Sequence, residues 1–450
     1  MSRDPARRTT TALRDGAPPP STGGAPLLSG HPERVALAIG AALAGALLLA
    51  CRSQPLQSGA PELRGTWAVG RTLVGASAVE QIVAEVRDLG ANAVFMQVRA
   101  RGDSIVPSSI EPAAPPRLIQ DFDALDVALE SARGDIEVHA WVNACLVADP
   151  EQMPRDDRHV VYAHPEWLSV PETIARELWY LPPEDPKYLE NLVRFARAHK
   201  DTVEGVYADP TLPEYRAHVV AVVADLVRRY PVDGIHLDYI RYARKDFGYS
   251  RAALDTFRLE VDRELSASDR ADMAQRVKKD PTVYARRYPV RFAQFRRDAV
   301  TRLVEEVSEA ARALRLQIVV SAAVIPDIAR ARDQHYQAWP QWLERGDLDA
   351  ACPMIYARDR GTFSEQLRAV MGARRHGQIW VGIGAWQIAA EETVARIDEV
   401  RKAGAHGVIL FSHAGLKDVP GAVAAIAGGP FQKRCATWKA RRGPPQAVAP

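Results

Sequence analysis

Residues 232–242 read Val-Asp-Gly-Ile-His-Leu-Asp-Tyr-Ile-Arg-Tyr, and this stretch decides the fold. At its centre, Gly234–Tyr239 alternates apolar Ile235 and Leu237 with polar His236 and Asp238. A strand there has one apolar and one polar face. An amphipathic run, Tyr215–Tyr230, precedes it, and a charged stretch of helical pattern, 240–289, follows it. Helix, buried strand and helix in succession are the βα alternation of a parallel sheet.

Working outward, the same kind of run recurs at Leu63–Val69, Ala93–Arg99, Glu137–Asn143, Ile318–Ala323, Ala350–Tyr356, Ile379–Gly384 and Val408–Ser412. Helical patterns separate them at Val79–Leu89, Phe122–Ala132, Phe292–Leu314, Tyr336–Arg345, Phe363–Arg374 and Glu391–Ala403, with Gly421–Ala427 as a short last helix. Eight strand–helix units between residues 62 and 430 predict an α/β fold, a (β/α)8 TIM barrel; a Rossmann sheet has two units fewer. No Gly-x-Gly-x-x-Gly follows the first strand and no Walker loop occurs, so no nucleotide cofactor is expected. Two connections, 146–212 and 240–289, are long and leave the C-terminal ends of the third and fourth strands, the face where barrel enzymes build their sites. The first carries Trp167 and Trp179 among prolines and is expected to act as a lid, one of these tryptophans touching substrate.

Composition is that of an ordinary globular chain and excludes a wholly disordered, collagen-like or coiled-coil one: 450 residues, 47% apolar and 25% charged. The net charge of +2 is basic at both ends, while 51–430 is net −5. A mildly acidic body argues against nucleic acid as a partner, and no protein partner is evident. Residues 1–31 have no apolar period; Val35–Ala50 is an uncharged run of 16 residues, shorter than the roughly 20 of a spanning helix. It ends in Leu48-Leu49-Ala50-Cys51, which resembles a bacterial lipobox. The expected organisation is therefore a leader and lipoprotein signal peptide (1–50), lipidation at Cys51, a tether (51–61), the barrel (62–430) and a basic, disordered tail (431–450). The expected location is the cell envelope, membrane-bound through that lipid anchor. Cys145, Cys352 and Cys435 are too widely spaced for a disulfide or metal framework.

Strand period two sorts the faces. Glu137, His139, Trp141 and Asn143 share one, Gln97 and Arg99 share another with Phe95, His236 and Asp238 a third, and Arg64 and Thr66 a fourth. Helix-facing positions are apolar, so these polar faces are expected in the lumen, forming a hydrophilic pocket toward the strand ends. Arg64, Glu137 and Arg99 also suit a buried ion-pair network. Asp238 is the hardest to explain structurally, because a carboxylate buried alone costs several kcal/mol.

The segment 232–242 resembles the signature of the bacterial glycosyl-hydrolase-like family 10. Supporting pieces, in order, are Glu62-Leu63-Arg64-Gly65-Thr66-Trp67, Asn92–Arg99, Glu137–Asn143, His164-Pro165-Glu166-Trp167, Cys352-Pro353-Met354-Ile355-Tyr356 and Gly407–Ser412. The resemblance implies a barrel that hydrolyses glycosidic bonds in bacterial polysaccharide, and some such proteins are envelope lipoproteins that cut peptide-free (denuded) peptidoglycan strands. Many members carry Asp-Asp at the end of the fourth strand; here the second position is Tyr239, which leaves the partner carboxylate open.

Glycoside hydrolysis uses two carboxylates. Asp238 is expected as nucleophile or base, held ionised by His236 or Arg241, and Asp327 as acid, with Asp103 and Asp359 as alternatives. Arg64, Gln97, Arg99, His139, Asn143, His236, Tyr239, Arg241 and Tyr356 are expected to bind sugar hydroxyls, with Trp141 stacking on a ring. No cofactor or metal is required. The rival readings are a metal-dependent hydrolase or deacetylase using His139, His236 and Asp238, and a non-catalytic carbohydrate-binding envelope protein.

Overall fold

The computed structural model describes residues 62–115 and 122–437; the leader, Cys51 and the tether lie outside the described residues. Among the described residues ten strands occur: β1 (Leu63–Ala68), β2 (Ala93–Arg99), β3 (Glu137–Asn143), β4 (Leu146–Ala148), β5 (Val206–Tyr207), β6 (Gly234–Asp238), β7 (Val319–Val324), β8 (Ala350–Ile355), β9 (Gln378–Gly384) and β10 (Gly407–Phe411). Eight close a parallel barrel in the order β1-β2-β3-β6-β7-β8-β9-β10. They are the eight expected strands, with ends within one residue. The antiparallel pair β4–β5 belongs to the long connection after β3 and was not expected. That connection also carries the helices Glu172–Trp179 and Pro186–Ala198, and the one after β6 carries Arg251–Asp262 and Ala267–Val277.

Apolar outward faces, such as Val94 and Met96, Val138 and Ala140, Ile235 and Leu237, pack under the helices. The lumen is plugged by Leu63, Trp67, Phe95, Trp141, Trp380 and Ile409. His139 lies among them, its ring stacked on Phe95 at 4.5 Å. Gly234 is required opposite it, since a Cβ there would sit 2.2 Å from His139 Nδ1.

Two strand faces differ from expectation. In β1 the interior belongs to Leu63, Gly65 and Trp67, so Arg64 and Thr66 face the helix layer; a Cβ on Gly65 would meet the Phe95 ring at 2.7 Å. In β2 the register slips between Gln97 and Arg99, so Gln97 pairs with inward-facing Trp141 but Arg99 with outward-facing Val142. Such an irregularity re-aims a side chain: Arg99 leaves the lumen.

At the N-terminal end of the barrel, four residues that each precede a strand make the same pair of bonds. Asn92, Asp233, Asp349 and His406 accept through the side chain from Arg64, Val138, Val320 and Ile379 N–H, at 2.8, 2.9, 2.8 and 3.3 Å. Their carbonyls accept from Glu137, Val319, Gln378 and Leu63 N–H, at 2.8 to 3.1 Å. Each therefore joins three neighbouring strands.

Residues 431–437, counted in the tail from sequence, pack on this end. Phe431 is buried beneath the Arg64 and Arg401 guanidinium groups, 4.9 and 5.8 Å from its ring centre. Arg64 Nη1 donates to Lys433 O at 2.7 Å, and Asn92 Nδ2 to Ala436 O at 3.1 Å. Among the described residues, no helix is long and apolar enough to cross a membrane.

Candidate active site

A cavity of about 1080 Å³ opens at the C-terminal ends of the strands. The barrel contributes Trp67, Gln97, Trp141, Asn143, Asp238, Tyr239, Tyr356 and Phe411, and the connection after β3 contributes Asp149, Gln152 and Glu204.

Asp238 ends β6 and is 8% exposed. Beyond it the chain turns sharply: Tyr239 takes a left-handed φ of 49°, a conformation costing a non-glycine residue about 1–2 kcal/mol. The turn is held because Asp238 O and Tyr239 O accept from Ala144 and Cys145 N–H at 2.7 and 3.1 Å. It aims Tyr239 N–H at Asp238 Oδ1, 2.7 Å away. Burial pushes the Asp238 carboxyl up to about 6, against the Tyr239 N–H, the Arg241 charge and the Trp141 indole, with the Glu204 charge adding to the rise. Trp141 Nε1 is buried and turned toward this carboxyl without closing a hydrogen bond of ordinary length.

Glu204 arrives on the connection after β3, just before β5. Its Oε1 accepts from Arg241 Nη2 at 2.7 Å and its Oε2 from Tyr207 Oη at 2.8 Å. Its side chain is 42% exposed, so partial burial raises the carboxyl, but the Arg241 charge and these two hydrogen bonds hold it below the usual value. Arg241 is buried and lies 5.0 Å from the Tyr239 ring centre. The cavity thus holds two carboxylates whose affinities for protons are pushed apart, the arrangement that divides acid from base.

Seven residues expected from sequence meet here: Gln97, Trp141, Asn143, Asp238, Tyr239, Arg241 and Tyr356. Others lie elsewhere. Arg64 is at the opposite end of the barrel, paired with Glu62 at 2.7 Å. Arg99 is buried against Glu111 at 2.7 Å and donates to Asn143 O and Ala144 O. Arg64, Glu137 and Arg99 form no single network; Glu137 accepts from His139 at 3.1 Å inside the lumen.

His139 and His236 are fully buried below the cavity floor. Trp67 Nε1 can only donate, so His236 Nε2 accepts from it at 3.0 Å and the ring proton sits on Nδ1, facing Ser321 Oγ at 2.9 Å. Burial, reinforced by His139, keeps His236 neutral. It therefore neither ionises Asp238 nor has a nitrogen free for a metal. Among the described residues, no group of three or more His, Cys, Asp or Glu is placed to hold a metal ion.

The acid candidates are also displaced. Asp327 is exposed and caps the helix Ile328–Gln334, accepting from Arg330 N–H at 2.9 Å. Asp359 caps the helix Arg360–Ala373 in the same way, and Asp103 accepts from Arg101 N–H. Trp167 stacks on His164 at 3.8 Å and Trp179 packs against Arg251; neither lines the cavity.

Sequence reading missed Glu204, Asp149 and Trp67. Glu204 stands in Glu204-Gly205-Val206-Tyr207, where a Cβ on Gly205 would fall 2.2 Å from Ala148 O. A glycine before two β-formers in a long loop was the available clue.

The family model described as glycosyl hydrolase-like 10 matches residues 62–379, the whole sheet through the start of β9. This chain belongs to the glycosyl hydrolase-like 10 family. Among curated proteins, the glycosyl hydrolase-like 10 chain is similar to glycosyl hydrolase YngK of Bacillus subtilis, 20% identical over 61% of this chain and 48% of that protein. It is similar also to glycosyl hydrolase DigH of Escherichia coli, 24% identical over 60% and 55%. The chain spans about half the length of these relatives. Among solved structures, the glycoside hydrolase domain of PgaB from Bordetella bronchiseptica aligns with TM-score 0.56 at 14% identity, covering 81% of this chain and 98% of that one. The catalytic domain of β-amylase from Paenibacillus polymyxa aligns with TM-score 0.52 at 10% identity, covering 84% and 99%. These likenesses establish the TIM-barrel fold of the glycosyl hydrolase-like 10 chain.

Proposed function

We propose that this chain hydrolyses O-glycosidic bonds of bacterial envelope polysaccharide, denuded peptidoglycan strands being the first substrate to try. The observation that carries the reading is the pair Asp238 and Glu204 in one cavity, the first raised to about 6 by burial and the second held ionised by Arg241 and Tyr207. In this pair Asp238 is the proton donor to the leaving oxygen, and Glu204 is the charged partner that activates water or faces the positive charge developing on the sugar. That reverses the role expected for Asp238, because its apolar setting outweighs the nearby arginine. Gln97, Asn143 and Tyr356 supply hydrogen bonds to sugar hydroxyls, and the Trp141 indole N–H offers another.

The test is the pH–rate profile of purified protein on denuded strands, with products read by mass spectrometry. The rate is expected to fall as pH rises through about 6, as Asp238 loses its proton, and to fall in acid as Glu204 gains one. Glu204→Gln should remove the acid limb and lower kcat about a hundredfold, close to 2.7 kcal/mol. A rate that climbs through pH 6 and stays high would make Asp238 the ionised partner and remove Glu204 from the acid's place as well; binding without turnover would leave a carbohydrate-binding protein.

We propose further that the barrel lies on the outer face of a membrane, held by a lipid on Cys51; the support is the lipobox-like Leu48-Leu49-Ala50-Cys51, and diacylation gives the two chains that stable anchoring needs. Cys51→Ser should release the protein into the soluble fraction; unchanged membrane association would refute the anchor.

A further inference from the structure

Trp386 sits on the turn Ala385–Gln387 directly after β9, at the mouth of the barrel. Its ring meets Tyr356 edge-on at 5.2 Å and Phe411 at 5.3 Å, and both of those side chains line the cavity. Two glycines make room for it. A Cβ on Gly384 would fall 2.7 Å from the indole ring, and one on Gly415 would fall 2.7 Å from Trp386 Cβ. The next residue, Gln387, is tied down as well, donating to Tyr356 O and accepting from Arg358 Nε. The indole is thus braced by two aromatic rings and held by a fixed turn, yet 39% of it faces solvent. Every other tryptophan among the described residues is buried or half-buried. An indole braced against two cavity-lining rings that still keeps 39% of its surface exposed has apolar surface to offer a ligand.

We infer that Trp386 is the stacking platform of an outer sugar subsite, which takes the apolar C–H face of a pyranose ring beyond those at the bond being cut. The inference rests on the glycosidase reading above and extends it to the shape of the substrate. In the closed barrel β9 lies four places from β3 in either direction, so it is diametrically across the mouth from the connection that delivers Glu204. Asp238 ends β6, three places from β9, so a ring on Trp386 and a bond near Glu204 and Asp238 belong to one chain laid across the mouth. The substrate class is a polymer or long oligomer of pyranoses rather than a mono- or disaccharide. Three readings of the site would each leave Trp386 dry: a pocket for small sugars, a site on the β3 side only, or an indole serving packing alone.

The experiment uses denuded peptidoglycan strands, sorted by length, as the probe. In the Asp238→Asn protein, which binds without cutting, Trp386→Ala should weaken binding of long strands about tenfold or more, whereas Trp386→Phe should stay within about threefold. In the otherwise wild-type chain, Trp386→Ala should raise KM for long strands far more than it lowers kcat, with little change in KM for disaccharide-length pieces. Trp386→Leu keeps apolar bulk without a flat face and serves where alanine disturbs folding, its melting temperature being the control. Leucine or alanine variants that bind long strands as the parent does would overturn the subsite while leaving the glycosidase reading intact. A parent that neither binds nor cuts the strands would overturn both.

Discussion

Asp238→Asn is expected to reduce turnover of a confirmed glycan substrate about a thousandfold or more, leave glycan binding intact, and make the protein more stable at neutral pH. The first effect follows from the loss of an acidic proton at the leaving oxygen, a group worth about 4–5 kcal/mol in the transition state. Asparagine is nearly isosteric, and its Oδ1 can still accept the Tyr239 N–H that Asp238 accepts at 2.7 Å. The stability effect follows from burial. The folded chain holds the Asp238 proton up to about pH 6, whereas the ordinary value is 3.8. Below about pH 4 the group is neutral in both states and costs nothing. Between there and about pH 6 the unfolded chain ionises first, so stability falls; above pH 6 the full penalty, on the order of 3 kcal/mol, is present. Urea midpoints of the two proteins should therefore agree in acid and separate as pH rises, with the asparagine variant above. Turnover within about tenfold of wild type would remove Asp238 from the chemistry, and a destabilised variant would make the carboxylate a structural partner instead.

Arg99→Met should destabilise the fold by about 3–5 kcal/mol. Arg99 and Glu111 are each 1% exposed at their side chains, and their nitrogen and oxygen lie 2.7 Å apart. Removing one partner strands the other charge in the interior, and that, rather than the net worth of the pair, sets the size of the loss. The damage should not stop at the pair, because Arg99 also holds the Asn143 and Ala144 carbonyls at the end of β3, where the connection carrying Glu204 begins. Acid gives an independent check. Burial would raise the Glu111 carboxyl, but the Arg99 charge and the Arg99 and His218 hydrogen bonds bring it down to about 2. Its contribution is therefore complete above about pH 4.5 and disappears as pH falls toward 2. The wild-type protein should lose stability over that interval, and Arg99→Met should lose much less. A methionine variant with wild-type denaturation midpoints would show that the pair is neutral for stability.

Much of the barrel was legible because strands buried on both faces and amphipathic helices write themselves into the chain with different periods. Every barrel strand could be placed to within a residue from Leu63 to Phe411 on that ground. The lumen residues were harder. Alternation tells which residues share a face but not which face points inward. In β1 the volume of Trp67 settles that question against Arg64, and in β2 a slipped register sends Arg99 outward after Gln97 has pointed in. The site was half legible for a similar reason. Asp238 stands out as a carboxylate at the end of a buried strand. Glu204 is one acidic residue among many in a long connection, and only the three-dimensional approach of β5 to β4 brings it beside Arg241. Asp327 looked equally suitable in sequence, yet a helix start claims its side chain.

The bonds made by Asn92, Asp233, Asp349 and His406 amount to a hoop. Four residues, each reaching back with a side chain and forward with a carbonyl, tie eight strands together at the end farthest from the cavity. A barrel hooped at one rim does not need its other rim to hold it closed. The chain uses that freedom where 146–212 and 240–289 depart from β3 and β6, adding helices and the β4–β5 pair without disturbing strand register. Loops at the mouth can differ in length and sequence without loosening the closure those four residues make at the foot.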